Sequence, residues 1–260
     1  MQHDSDIGVS TGAYAGLTLA DALARIAAIA PAAEVFSFGR HSLIEPGSGA
    51  ALAAAGLPFS VHGPFTHYEF AGAWNGRHRA ALDLHRRHLA VAAEHGGFLY
   101  IVHPDIQPRP RPWSRRVAVA LQRSFARLRE MQDEFGVRVA VENMPFLRQS
   151  HFTRPGDLDL QGLGVVIDAG HAALTGTLAE WLSEPQADVV HVHLHDNLGR
   201  GDGDSHRPLG TGVVDPGPVL TAARAAGATI ALEMTNEADV LASLAWLRAN
   251  ELLPIVRHRD

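Results

Sequence analysis

Six successive short apolar runs of this chain each end in an acid or an imidazole. These are His62, His103, Glu142, Asp168 with His171 three residues on, the series His191, His193 and His195, and Glu233. A lone histidine in such a place is ordinarily a hydrogen-bonded core or rim residue. Six in series are different, because carboxylates gathered at one point repel one another and lose hydration unless cations neutralise them. The pattern predicts a metal site. The 260 residues include no cysteine, so nitrogen and oxygen must supply its ligands. Such a donor set suits zinc, manganese, iron or cobalt better than magnesium, which prefers oxygen alone.

The spacing within these runs carries further chemistry. His191, His193 and His195 share one face by the two-residue period of a strand, and parity admits either His193 or His195 as a ligand. Asp168 and His171 let a strand end and the following turn address one point from two directions. The Gly-rich segment after the seventh run holds Asp204 and His206, a D-x-H pair that faces one side of an extended chain. Alone it would read as an ordinary turn. Glu142 and Glu233, on the fifth and eighth runs, are expected to face each other across a mouth, so that a bound substrate meets a carboxylate on each side. That arrangement suits proton removal and return, or activation of water.

Positioning these groups requires eight strands. The runs span residues 7–10, 34–38, 59–62, 98–103, 137–143, 163–168, 189–195 and 229–233, with amphipathic helical stretches between them. This βαβα alternation marks a parallel sheet covered by helices. Thr18 with Asp21 and Thr177 with Glu180 form T-x-x-D/E capping boxes. The helices over 77–95 and 114–135 stop at Gly96 and Gly136, residues suited to a left-handed helix end. Eight repeats in about 250 residues match a (β/α)8 barrel, whose C-terminal strand ends carry the chemistry. A doubly wound sheet is disfavoured because the first run leads into STGAYAG rather than G-x-G-x-x-G. No linker splits the chain, so residues 1–260 are expected to form a single barrel domain.

Composition narrows the partners. A hydrophobic fraction of 46% with 19% charged residues describes a water-soluble chain with a sizeable core. No apolar run reaches the roughly 18 residues of a membrane span, and the start, MQHDSDIG, lacks a secretory pattern, so a cytoplasmic location is expected. The net charge of -6 argues against a polyanion as main partner, although 11 of the 22 basic residues, all arginines, fall between Arg77 and Arg129. Solvated helix faces are the plain reading of that stretch; a phosphate-docking surface is the sharper one. Within it, the RPRPWSRR loop and its Arg109 form a mouthside candidate for binding one phosphate.

Taken together, VENMP, IDAGH, HVHLHDN followed by D-x-H and G-T-G, and the final LE resemble the xylose isomerase-like TIM barrels, from the third strand onward. That superfamily includes sugar phosphate isomerases and epimerases as well as endonuclease IV. In the isomerase and epimerase branch the resemblance implies one divalent metal on Glu142, Asp168, His193 and Glu233. The two glutamates would act as catalytic acid and base on a sugar-like substrate, and His171 would help hold its hydroxyls. His62 and His103 would also border the substrate. In the endonuclease IV branch it implies a three-metal set completed by His62, His103, His171, Asp204 and His206, able to polarise a phosphodiester of abasic DNA.

The NMPFL segment after Glu142, the style of HDNLGRGDGDSH, the absence of lysine and the acidic balance favour the isomerase or epimerase branch. Nucleic acid enters as a partner only under the nuclease reading, which needs a basic surface around the mouth. A non-enzymatic carbohydrate-binding barrel is disfavoured because both glutamates remain. Exposed apolar faces at the barrel ends leave room for a homo-oligomer.

Overall fold

The protein is described by a computed structural model over residues 6–65, 70, 76–104, 113–145, 150–183 and 188–253, the side chain of Arg77 aside. Its strands are β1 (Ile7–Ser10), β2 (Ala33–Phe36), β3 (Phe59–His62), β4 (Leu99–Val102), β5 (Arg138–Glu142), β6 (Gly164–Asp168), β7 (Val189–Leu194) and β8 (Thr229–Leu232). All pair in parallel with their neighbours in chain order, and β8 returns to β1 to close the barrel. The α-helices are α1 (Leu19–Ala27), α2 (Ser48–Ala55), α3 (Gly76–Glu94), α4 (Arg115–Phe135), α5 (Ala169–Thr175), α6 (Leu178–Ser183), α7 (Pro216–Ala226) and α8 (Glu237–Ala249). The fold is therefore the expected (β/α)8 TIM barrel, with strand bounds within two residues of those read from the sequence. Among the described residues no helix is long and apolar enough to cross a membrane.

Local sequence explains the outer ring. In α1, Leu19, Ala22, Leu23 and Ile26 are buried at helical spacing, so one stripe of the helix seals against the sheet. The Thr18 Oγ1 accepts from the Asp21 N–H at 3.2 Å, as the capping box predicts, while the Asp21 carboxylate accepts from the Thr18 hydroxyl at 2.7 Å rather than from its backbone N–H. Gly136, at φ 67°, ends α4 in the left-handed conformation that a side chain would strain. Thr177 departs from expectation. Its hydroxyl meets Thr175 at 2.7 Å and donates to the Thr153 carbonyl at 2.9 Å, and Glu180 pairs with Arg154 at the surface. A buried carbonyl nearby is a stronger demand on the hydroxyl than a helix end that water can reach.

The lumen positions the site. Strand period two puts alternate residues inside, and a compact apolar cluster of Leu99, Ile101, Ala140 and Val166 fills part of it. The mouth residues continue these inward rows by two-residue steps: Ile101 to His103, Ala140 to Glu142, and Val166 to Asp168. Ser60 leads in the same way to His62, and His191 to His193. The polar groups thus form the top of the layered core, where the strands end and loops replace neighbouring backbone.

Candidate metal centre

Three groups of side chains converge at the mouth: His62, His103 and Glu142; Glu142, Asp168, His193 and Glu233; and His171, Asp204 and His206, which His195 joins. A fourth, Glu34, His191 and His193, lies below them and shares His193. Within each group the facing nitrogen and oxygen atoms lie within 4.8 Å of one another. Glu142 belongs to two groups. Its Oε2 lies 3.3 Å from His62 Nε2 and 3.0 Å from His103 Nε2, while its Oε1 lies 3.2 Å from His193 Nδ1. Glu233 Oε2 reaches the same His193 nitrogen at 3.2 Å. Asp204 Oδ2 sits 3.1 Å from His171 Nε2 and 3.3 Å from His206 Nε2.

Glu142 and Glu233, from β5 and β8, each bring a carboxylate oxygen to 3.2 Å from one imidazole nitrogen, His193 Nδ1. Arg109 lies outside the described residues. Every other residue singled out as a ligand or substrate contact is brought to this cluster.

The loops that carry the third group are pinned locally. Asp196 pairs in antiparallel fashion with Arg207, with backbone bonds of 2.9 and 2.8 Å. Its carboxylate accepts from the N–H groups of Asn197, Thr211, Gly212 and Val214. A Cβ on Gly212 would collide with the Asn197 carbonyl, which gives the G-T-G segment a steric reason. Asp168 caps α5 by accepting from the His171 N–H at 2.6 Å, so the D-x-x-H spacing fixes ligand and helix start together.

Hydrogen bonds also set which ring nitrogen each histidine presents. His62, His171 and His206 donate Nδ1–H to the carbonyls of Gly63, Asn143 and Glu233, at 3.0, 2.8 and 2.8 Å. Each thereby turns Nε2 toward the carboxylates. His193 is reversed: Nδ1 faces the acids and Nε2 lies 3.2 Å from Glu34. Four buried atoms of these three groups, His103 Nδ1, Glu142 Oε1, His193 Nδ1 and Asp204 Oδ1, have no hydrogen-bond partner among the described residues. Unpartnered donors of this kind, crowded at about 3 Å, fit divalent cations.

Charge gives the same answer. Glu34, Glu142, Asp168, Asp204 and Glu233 are paired, among the described residues, with imidazoles and no arginine. Without metal, protons on those imidazoles must balance the acids. Burial opposes the charged form of His206, but its hydrogen bond to Asp204 and the Glu233 charge carry its pKa to about 10. His171 and His193 are likewise penalised by burial and still raised well above the ordinary histidine range, chiefly by Asp168 and by Glu34 respectively. Burial wins at His103, which stays below the ordinary histidine range despite the Glu142 charge, and away from the cluster burial pushes His85, hydrogen-bonded to the Tyr100 hydroxyl, down to about 3.

The centre floors a cavity of about 400 Å³ whose walls include Phe36, Phe65, Met144, Pro145 and Met234. Among the described residues lining it there is no arginine.

One group at this site was not singled out from the sequence, and the place of a second was left open there. Glu34 stands in β2, fully buried, and bonds His193 from below; an acid at an inward position of an apolar strand was its only signal. His195 follows β7 and lies 3.1 Å from Asp168, a place parity allowed but could not distinguish from that of His193.

The chain is a closed (β/α)8 barrel with groups of His and carboxylate side chains gathered at its C-terminal rim. Residues 47–250 match the family described as Xylose isomerase-like TIM barrel, and the chain belongs to that family. It is 29% identical over 214 residues to an uncharacterized protein of Methanocaldococcus jannaschii, covering 76% of this chain and 71% of that protein. A solved D-tagatose 3-epimerase-like protein is similar at TM-score 0.81 and 26% identity over 95% of this chain and 97% of its own. A Thermus thermophilus protein soaked with ZnCl2 is similar at TM-score 0.68 and 26% identity over 94% and 97% of the two chains.

Proposed function

We propose that this chain is a divalent-metal-dependent isomerase or epimerase of a sugar, sugar phosphate or related polyol. The observation that carries the reading is the meeting of Glu142 and Glu233 at His193 Nδ1, 3.2 Å from each, on the floor of a small cavity with apolar walls. Glu142, Asp168, His193 and Glu233 would hold the cation, which when bound supplies Lewis acidity toward a carbonyl. The carboxylates of Glu142 and Glu233 then take a proton from the adjacent carbon and return it. Phe36 and Phe65 pack against the apolar face of the sugar and exclude water. The similarity to a D-tagatose 3-epimerase-like protein supports this reading.

A second reading, phosphodiester hydrolysis by a three-metal centre, is favoured by a specific observation. The His62 and His103 group and the His171, Asp204 and His206 group are both complete. Charge points the same way, since one divalent ion offsets two of the five carboxylate charges whereas three ions supply enough to offset all five. Metal equivalents per chain, measured with solvent deuterium uptake into a panel of ketoses and cleavage of abasic-site DNA, separate the readings. Deuterium uptake without strand cleavage is expected. Strand cleavage without uptake replaces the first reading by the second.

A further inference from the structure

Glu34 has no water to face. It lies inside the barrel on β2, fully buried, and its carboxylate meets three groups: the Ser60 hydroxyl at 3.1 Å, His191 Nε2 at 3.1 Å and His193 Nε2 at 3.2 Å. His191 is held from the other side, its Nδ1 lying 2.6 Å from the Thr229 hydroxyl. These contacts cross the lumen from β2 to β7, 159 residues apart in sequence.

His193 needs such a partner more than the other mouth histidines do. His62 ends β3, His171 lies in the first turn of α5 and His206 lies in a loop, and each finds a backbone carbonyl to take Nδ1–H. His193 is inside β7, whose carbonyls are engaged in the sheet ladder, so the ring must find an acceptor on a side chain. Glu34 is the acceptor present. With Nε2–H donated to it, the proton is kept off Nδ1, and the Nδ1 lone pair is aimed at Glu142, Asp168 and Glu233. The ring is further confined by His62, nearly parallel at 5.7 Å and 19°.

We propose that Glu34, braced by His191 and Ser60, is a positioning residue that fixes the tautomer and orientation of His193 for metal binding at Nδ1. The inference rests on the metal centre of the proposed function but not on its reaction. A carboxylate behind a ligating imidazole raises the basicity of the ligand and holds its ring in place, and losing such a partner weakens metal binding.

Two measurements test it. Long-range proton–nitrogen correlation spectra of the zinc-loaded wild-type protein should show His193 protonated at Nε2 and metal-bound at Nδ1. A proton on Nδ1, or a metal shift on Nε2, overturns the proposal. In Glu34→Gln, Co2+ titration should give a dissociation constant raised about 10- to 100-fold. The nitrogen resonances of His193 should move, while those of His171, which donates to a backbone carbonyl, stay in place. Wild-type affinity in that variant, or equal movement of both histidines, overturns it. Should Glu34→Gln not fold, the wild-type spectrum decides. Wild-type protein with the expected tautomer but no turnover of any ketose removes the functional reading and leaves this one standing. Turnover with an unaffected Glu34→Gln does the reverse, and a wild-type chain that takes up no Co2+ overturns both.

Discussion

His195 stacks on His206 with ring centroids 4.0 Å apart and planes inclined by 17°. The same His195 turns Nε2 toward Asp168 at 3.1 Å, so it ties the third group of the centre to the second. A Cβ at Gly170 would run into the His195 ring, which explains the glycine of IDAGH. Both His195→Ala and Gly170→Ala are therefore expected to loosen the His171, Asp204 and His206 group. Retained zinc, measured by mass spectrometry after dialysis, should fall most at the weakest site, with an affinity loss of about 10- to 100-fold. Full retention in both variants would remove His195 from the centre.

The two glutamates are expected to differ in one measurable way. Glu233→Gln and Glu142→Gln should each lower kcat by about 10²- to 10⁴-fold, the usual range for a proton-transfer group. Glu142 touches two of the three groups and Glu233 only one. Metal content should accordingly fall further in Glu142→Gln, and equal losses would argue against its shared position.

Metal uptake should release protons. His206, with a pKa of about 10, and His171 and His193, raised well above their ordinary range, carry protons at neutral pH in the metal-free protein. A cation must displace them, so affinity should rise with pH, about tenfold per pH unit for each proton displaced, until the histidine pKa is passed. Asp204 does not share this dependence, because burial raises its carboxyl but the hydrogen bonds from His171 and His206 hold it far below the usual carboxylate range. Calorimetry in buffers of different ionisation enthalpy counts the protons. An affinity independent of pH between neutral and mildly alkaline conditions would contradict the protonated cluster.

Chelation should destabilise the fold. A ligand present at 100 times its dissociation constant adds about 2.7 kcal/mol to stability. For a domain of this size that corresponds to a loss of about 5–10 °C in Tm on metal removal. Scanning calorimetry with and without chelator, followed by zinc addition, checks the direction and its reversal.

Much of this was written in the sequence because strands and ligands share one code. The alternation that makes VAVE and GVVID strands also puts Glu142 and Asp168 on the inward face, and the end of each apolar run marks the rim. Sequence alone therefore determined the (β/α)8 barrel, the strand ends and nearly the whole polar cluster. It could not decide between His193 and His195, because parity is blind to where β7 stops and the chain turns toward Asp168. Nor could it show that Glu142 and Glu233 meet at one nitrogen, since that depends on how far two side chains reach across a closed sheet. Glu34 was hidden for the same reason: its partner lies 159 residues away, and only barrel closure brings the two together. Local periodicity fixes which way a side chain points, whereas the distance between side chains from opposite strands is set by the tertiary fold.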